Sequence, residues 1–276
     1  MKIAIHVHVY YPELWEELWS SVENIIRVAG ADNVYLVVTV SEGQIAALEK
    51  VRTAKFACRS EIAAVPNRGY DVGPFVCEFL NKLDLDRFDL IVKLHTKRSV
   101  DSWMNFRPLR GAQWRTFLLS FCRSERAFLR TLQAFGKYEK LGFVSHNRVI
   151  NHCGSDWGEN VAKVQEKLAA DFGVKANRPV TISGTMFCAR AALFKIFQGR
   201  YRYDDFTAPD QRADHRDYGL AADLEYAFTL YADSLGFTVS AGIFPPAIAE
   251  FGYAVQSALF LSVRAVMRLV RKFNQA

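Results

Sequence analysis

Leu90-Ile91-Val92-Lys93-Leu94-His95-Thr96-Lys97-Arg98-Ser99 begins as an apolar run and ends in imidazole, hydroxyl, ammonium and guanidinium groups within a short reach. A short apolar run of this length reads as a buried strand, and its polar end as the mouth of a crevice. Three stretches upstream repeat the pattern, at 3–9, 34–40 and 61–65. Between them lie helical segments. The first follows Tyr11-Pro12, with Leu14, Trp15, Leu18, Val22, Ile25 and Ile26 at helical spacing; the others fall near 44–53 and 75–83. Proline suits the first turn of a helix. Strands alternating with helices predict an α/β fold with a mainly parallel central sheet.

Downstream the spacing predicts a helical region over 111–135, a strand at 142–145, a helix at 160–172 and a strand at 180–189 that turns into a helix at 191–197. A helix at 219–235 and a strand at 236–241 complete the series. No glycine- or serine-rich linker and no internal repeat divides the chain, so a single domain over 1–250 is expected. Residues 251–276 read as an appendage. There Arg264, Arg268 and Arg271 share one helical face, with Val255, Leu259, Val266 and Leu269 opposite. Such a basic amphipathic helix suits an anionic membrane surface or a protein partner.

With 276 residues, half of them hydrophobic, the chain can bury a sizeable core without a disulfide or metal staple. Disorder is excluded by this composition and by only 23% charged residues. The five cysteines stand singly without a CxxC pair, which suggests neither a disulfide framework nor a zinc knuckle. Met1 leads straight into the first strand without a signal-peptide pattern, and no run of about eighteen apolar residues occurs. A cytoplasmic protein is expected, peripheral on the inner face of the plasma membrane if the appendage binds lipid. The net charge of +6 favours anionic partners: nucleotide phosphates, nucleic acid or acidic lipid.

Ligands of open parallel sheets gather at the carboxyl ends of the strands. The candidates there are His8, Tyr10 and Tyr11 after strand one, Thr39 and Ser41 after strand two, 67–73 after strand three and 95–99 after strand four. In Asn67-Arg68-Gly69-Tyr70-Asp71-Val72-Gly73 two glycines permit close backbone approach, while a guanidinium and a carboxylate can hold phosphate and hydroxyl groups. A departing diphosphate needs positive charge, from a carboxylate-held metal or from fixed basic side chains. This strand ends in His-Thr-Lys rather than Asp-x-Asp, so no metal is expected.

Those two blocks, extended to Pro74-Phe75, together with Trp114-Arg115 and Gly184-Thr185-Met186-Phe187, resemble the signature blocks of the rhamnan synthesis protein F family. The resemblance runs in order over about 3–239. It implies a glycosyltransferase that extends rhamnose-containing cell-wall or O-antigen chains on a GT-A-like fold. A nucleotide-diphosphate sugar would be its donor and a lipid-linked glycan its acceptor, with no cofactor. The His-Thr-Lys block would stand where ordinary GT-A members carry their metal-binding Asp-x-Asp. Asn67, Arg68, Asp71, His95, Thr96 and Lys97 would then serve the donor, with His8, Tyr10 and Thr39 beside them. Gly184, Thr185, Met186, Trp114 and Arg115 would serve the acceptor. An inverting transferase needs a carboxylate base in the following helix, and Glu225 falls about there, with Asp223 the near alternative and Asp214 and Asp217 further options.

Two rival readings remain open at this level. His6 and His8 alternate on strand one, as in hydrolases that bind zinc through an HxH pair. Alternatively, the excess of lysine and arginine over 97–130, interleaved with Trp103, Trp114 and Phe117, suits a non-catalytic module for glycan or nucleic acid. The arginines recur near helical spacing rather than on a sheet face, so nucleic acid is not expected as a partner.

Overall fold

The structure, a computed structural model, describes residues 1–98, 102–104, 107–109, 112–152, 158–177, 180–208 and 219–241. Its strands are β1 (Ile3–Val9), β2 (Val34–Ser41), β3 (Arg59–Val65), β4 (Leu90–His95), β5 (Ser102–Met104), β6 (Arg107–Leu109), β7 (Leu141–Val144), β8 (Ile150–His152), β9 (Val180–Ile182), β10 (Phe187–Arg190) and β11 (Thr238–Ser240). Its α-helices are α1 (Trp15–Ala29), α2 (Ile45–Arg52), α3 (Leu80–Lys82), α4 (Gln113–Leu118), α5 (Glu125–Lys137), α6 (Gly158–Phe172) and α7 (Gly219–Ser234). Seven strands form one sheet in the order β11-β7-β10-β4-β1-β2-β3, while β5 with β6 and β8 with β9 make separate two-stranded ribbons.

The expected α/β fold is present, and its parallel part is the block β4-β1-β2-β3. The continuous apolar runs of β1 and β4 are buried along their whole lengths, as parallel strands covered on both faces must be. β10 runs antiparallel between β4 and β7, and β11 returns parallel to β7. The chain steps from β1 to β2 to β3 in one direction, then crosses back to lay β4 on the other side of β1. Right-handed crossovers therefore place α1 and α2 on one face and the connection before β4 on the other. That connection is a π-helical turn over Pro74–Phe79 running into α3, and its Phe75 and Phe79 rings meet His6 at 5.6 and 5.1 Å. In open sheets such a reversal marks the ligand-binding crevice, here beyond the carboxyl ends of β1 and β4.

Local chemistry explains where the elements depart from the periodic reading. The helical region expected over 111–135 is two helices, because Ser124 caps α5 by accepting from the Ala127 N–H at 3.2 Å. The single strand expected over 180–189 is β9 and β10, because Gly184 and Thr185 between them adopt left-handed φ values of 82° and 47°. The segment expected as a helix at 191–197 is a 3₁₀ stretch over Ala191–Phe197. Its Phe194 and Phe197 join Phe75, Phe187 and Phe228 in an aromatic cluster. Among the described residues no helix is long and apolar enough to cross a membrane. The 251–276 appendage, Asp214 and Asp217 lie outside the described residues.

Candidate active site

Register puts the polar residues of the three central strands on one sheet face. His6 lies opposite Lys93 and His8 opposite both His95 and Thr39, and successive members of each pair alternate with apolar neighbours that point the other way. All of these polar residues are buried. The Thr39 hydroxyl bridges His6 Nε2 at 2.9 Å and His8 Nδ1 at 3.0 Å, and Ser41 Oγ meets His8 Nε2 at 3.3 Å. With one proton, Thr39 donates to one ring and accepts from the other. Thr39, His8, Ser41 and His6 Nε2 thus turn their polar atoms to one another, while His6 Nδ1 has no hydrogen-bond partner among the described residues.

Burial keeps the three imidazoles uncharged. Desolvation, reinforced for His6 by Lys93 and His8, holds His6 well below the usual histidine range. Desolvation against the opposing pull of Asp71 lowers His8 to about 4 and takes His95 well below its ordinary value. Their folded pKa values are depressed, so this stability is complete above the unfolded value of about 6.5 and is lost as pH falls below it. Each histidine costs about 1 kcal/mol one unit below that value. Melting is therefore expected to drop by about 10 °C between pH 7.5 and 5.5, and a flat Tm over that interval would contradict buried neutral rings.

Beside these strands sits an ion pair with one fully buried partner. Lys93, fully buried on β4, contacts the Asp71 carboxylate and reaches the Thr185 carbonyl at 3.2 Å and the Thr185 hydroxyl at 3.1 Å. The Thr185 hydroxyl in turn donates to Asp71 Oδ2 at 2.5 Å. The loop carrying Asp71 owes its shape to glycine. Gly69 has φ 72°, and a Cβ there would lie 2.6 Å from the Phe206 ring, while one on Gly73 would overlap the Arg68 carbonyl oxygen. Burial alone would raise Asp71, but His95, Lys93 and Lys97 together overcome it and hold the carboxyl well below the usual range. Desolvation lowers Lys93, and Asp71 opposes that.

The far wall is built by α4, α7 and the turn at 183–186. Glu225 on α7 accepts from the Gly184 N–H at 2.9 Å, and desolvation pushes its carboxyl up against the pull of Lys97. Asp223 lies two residues away, about 200° around the helix, and faces α6, where it pairs with Lys167 and lies 4.0 Å from Lys163. Glu225 instead faces the turn at 183–186. A Cβ on Gly184 would come within 3.1 Å of Trp114 Cζ2, on the indole edge that also carries Nε1. Lys97 lies over the Trp114 ring at 6.0 Å from its centroid. Two buried polar groups here have no hydrogen-bond partner among the described residues: Trp114 Nε1 and the His95 ring, although His95 Nδ1 is 3.4 Å from Asp71 Oδ2.

The site thus brings together Asp71, His95, Lys97, Trp114, Gly184, Thr185 and Glu225. Other candidates do different work. Thr96 accepts from the Tyr10 and Tyr11 N–H groups at 2.9 and 3.0 Å, which fixes the loop after β1 and leaves the Tyr10 ring half-buried against Tyr11. Arg68 reaches the Phe206 carbonyl at 3.4 Å and Asp204 at 3.5 Å. Arg115 pairs with Glu17 at 2.7 Å and Arg98 with Glu13 at 3.2 Å, so two arginines of the basic region have carboxylate partners. Met186 is buried, its carbonyl accepting from Ser145, and Asn67 is half-buried at the start of its loop. Among the described residues no three histidine, cysteine, aspartate or glutamate side chains converge to hold a metal ion. Lys93 escaped sequence reasoning, although a lone ammonium inside an apolar strand, two residues before His95, was the signal for it.

Residues 1–217 match the family described as rhamnan synthesis protein F. The chain belongs to that family. No curated protein matches it significantly. Membership in the rhamnan synthesis protein F family gives the chain a role in polysaccharide synthesis. The matched region holds all the donor-side candidates and the turn at 183–186, and it ends before α7. Glu225 therefore stands on geometry alone.

Proposed function

We propose that this chain is a metal-independent glycosyltransferase of GT-A-like fold. It moves a sugar, rhamnose or a related hexose, from a nucleotide-diphosphate donor to a growing lipid-linked surface glycan. The observation that carries this reading is that Lys97, just beyond the end of β4, lies near enough to Glu225 to pull its carboxyl down without an ion pair between them. Lys97 is an ammonium with no carboxylate partner among the described residues, and Glu225 is a carboxylate made more basic by burial. The crevice lies at the reversal of strand order, where open sheets bind ligands.

The chemistry follows from those two groups. As the bond from the anomeric carbon to the diphosphate oxygen breaks, negative charge grows on the leaving group, and Lys97 stabilises it. The Trp114 indole contributes an unpartnered buried N–H donor that a ligand oxygen would satisfy, and neutral His95, its Nδ1 3.4 Å from Asp71, leaves Nε2 to accept from a sugar hydroxyl. On the other side the acceptor hydroxyl oxygen bonds to the anomeric carbon and its proton passes to Glu225. The carboxylate of the donor-side loop, Asp71, is already neutralised by Lys93. The charge left for a diphosphate is therefore ammonium, which supports metal independence. The basic face read in 251–276 would hold the enzyme at the anionic membrane surface that carries a lipid-linked acceptor.

A thermal-shift titration with nucleoside diphosphates and nucleotide sugars, with and without EDTA, tests the donor class and the metal question together. A ligand at a hundred times its Kd stabilises by about 2.7 kcal/mol, so Tm should rise and the rise should survive the chelator. No shift with any nucleotide would remove the donor reading, and a shift that needs a divalent ion would remove metal independence.

A further inference from the structure

We propose that Lys93 is a positioning residue that clamps the acceptor-side turn to the donor-side loop and so sets the catalytic carboxylate. The proposal rests on the transferase reading for the role of Glu225, while the clamp itself rests on contacts alone. Lys93 Nζ has three partners on two separate segments: Asp71 of the 67–73 loop, and the carbonyl and hydroxyl oxygens of Thr185. Thr185 closes the triangle by donating to the same Asp71 oxygen at 2.5 Å. Its φ of 47° is a left-handed conformation that a β-branched residue rarely adopts. Backbone held in such a conformation persists only where surrounding contacts determine it, and the lysine and the aspartate supply those contacts.

The residue before Thr185 transmits the effect. Gly184 is left-handed as well, and its N–H is the group that Glu225 Oε1 accepts from at 2.9 Å. A continuous path therefore runs from the donor loop through Asp71, Lys93 and Thr185 to Gly184 and the base. Without the clamp, the turn relaxes toward ordinary φ values and the Gly184 N–H swings away from Glu225. Lys97, whose ammonium lies over Trp114, is not part of this path, so turnover suffers more than donor affinity. A chain built this way couples an ordered donor loop to a base held in register.

Hydrogen exchange read by mass spectrometry tests the clamp without any assay of transfer. In Lys93→Met and in Thr185→Val, exchange over 183–186 is expected to accelerate by about tenfold or more while β1 and β4 stay protected. Thr185→Ser, which keeps the hydroxyl, should restore wild-type protection. Under turnover, Thr185→Val should lower kcat more than it raises the donor KM, and Thr185→Ser should recover kcat. Wild-type protection of 183–186 in the Val variant would overturn the proposal, as would undiminished kcat. Should Lys93→Met fail to fold, the Thr185 pair decides the matter. Failure of wild-type protein to bind any nucleoside diphosphate would sink the donor reading instead, with the clamp still judged by the exchange pattern.

Discussion

Glu225→Gln is expected to cut transfer by about 10²- to 10⁴-fold while nucleoside diphosphates still bind. Glutamine keeps the size of the side chain and an oxygen that can accept from the Gly184 N–H, so the turn at 183–186 stays in place. What it loses is the capacity to take the acceptor proton. Asp223→Asn is the matched control. It removes a carboxylate two residues away that faces Lys163 and Lys167 on α6, so its effect on rate should stay within a few-fold. The pH dependence has a defined sign. Burial raises Glu225 above the usual carboxylate range, so the base loses its proton at higher pH than a free glutamate and the rate falls as pH drops through that raised value. The same shift bears on stability: a raised folded pKa favours the fold at low pH and weakens it once the carboxylate ionises. Glu225→Gln should therefore melt no lower than wild type at pH 7.5. Inactivity without loss of stability identifies a group kept for chemistry. Full activity in Glu225→Gln, or loss of activity only in Asp223→Asn, would remove Glu225 from the mechanism.

The parallel half of the fold was legible because β1, β2 and β4 are long apolar runs with helical periodicity between them. The antiparallel half was not. β8, β9 and β10 are three or four residues long, and the break between β9 and β10 comes from two left-handed residues, Thr185 held by β4 and the 67–73 loop and Gly184 by α7. No local pattern carries that information. Of the strand-end candidates, the structure gathers Asp71, His95 and Lys97 close together, whereas the strand-end rule treats every polar strand end alike. His8 and Thr39 lie within the sheet and point to each other, a distinction that needs the register between β1 and β2. Lys93 was passed over for the opposite reason. It sits one turn of the pleat inside the strand end, and only a partner brought by another segment makes a buried ammonium tolerable there. The choice between Asp223 and Glu225 was open in the sequence because both are helical carboxylates. The structure separates them by surroundings: Asp223 faces the lysines of α6, while Glu225 faces the Gly184 N–H.

Lys97→Ala should lower kcat by about 10²- to 10³-fold, the usual loss when one donor to developing charge is removed. The loss should fall on kcat more than on KM, because the diphosphate gains charge only as its bond to the sugar breaks. Lys97 is half-buried at the crevice rim, and its ammonium has the Trp114 face for support and no carboxylate partner among the described residues. Its removal breaks no ion pair at contact distance but takes away part of the charge that offsets Glu225 and Asp71, so Tm should fall only modestly. The contrast with Lys93 is diagnostic: that ammonium is fully buried against Asp71, and losing it strands a carboxylate. Lys97 also pulls down the pKa of both Asp71 and Glu225. In Lys97→Ala the base should consequently ionise at higher pH, moving the acid limb of the rate profile upward. Lys97→Arg keeps the charge but replaces a compact ammonium with a planar fork, so it should recover part of the rate and return the acid limb toward wild type. A neutral variant with unchanged kcat would mean that the diphosphate departs elsewhere. Equal losses in kcat and in diphosphate affinity would make Lys97 a ground-state anchor rather than a stabiliser of the leaving group.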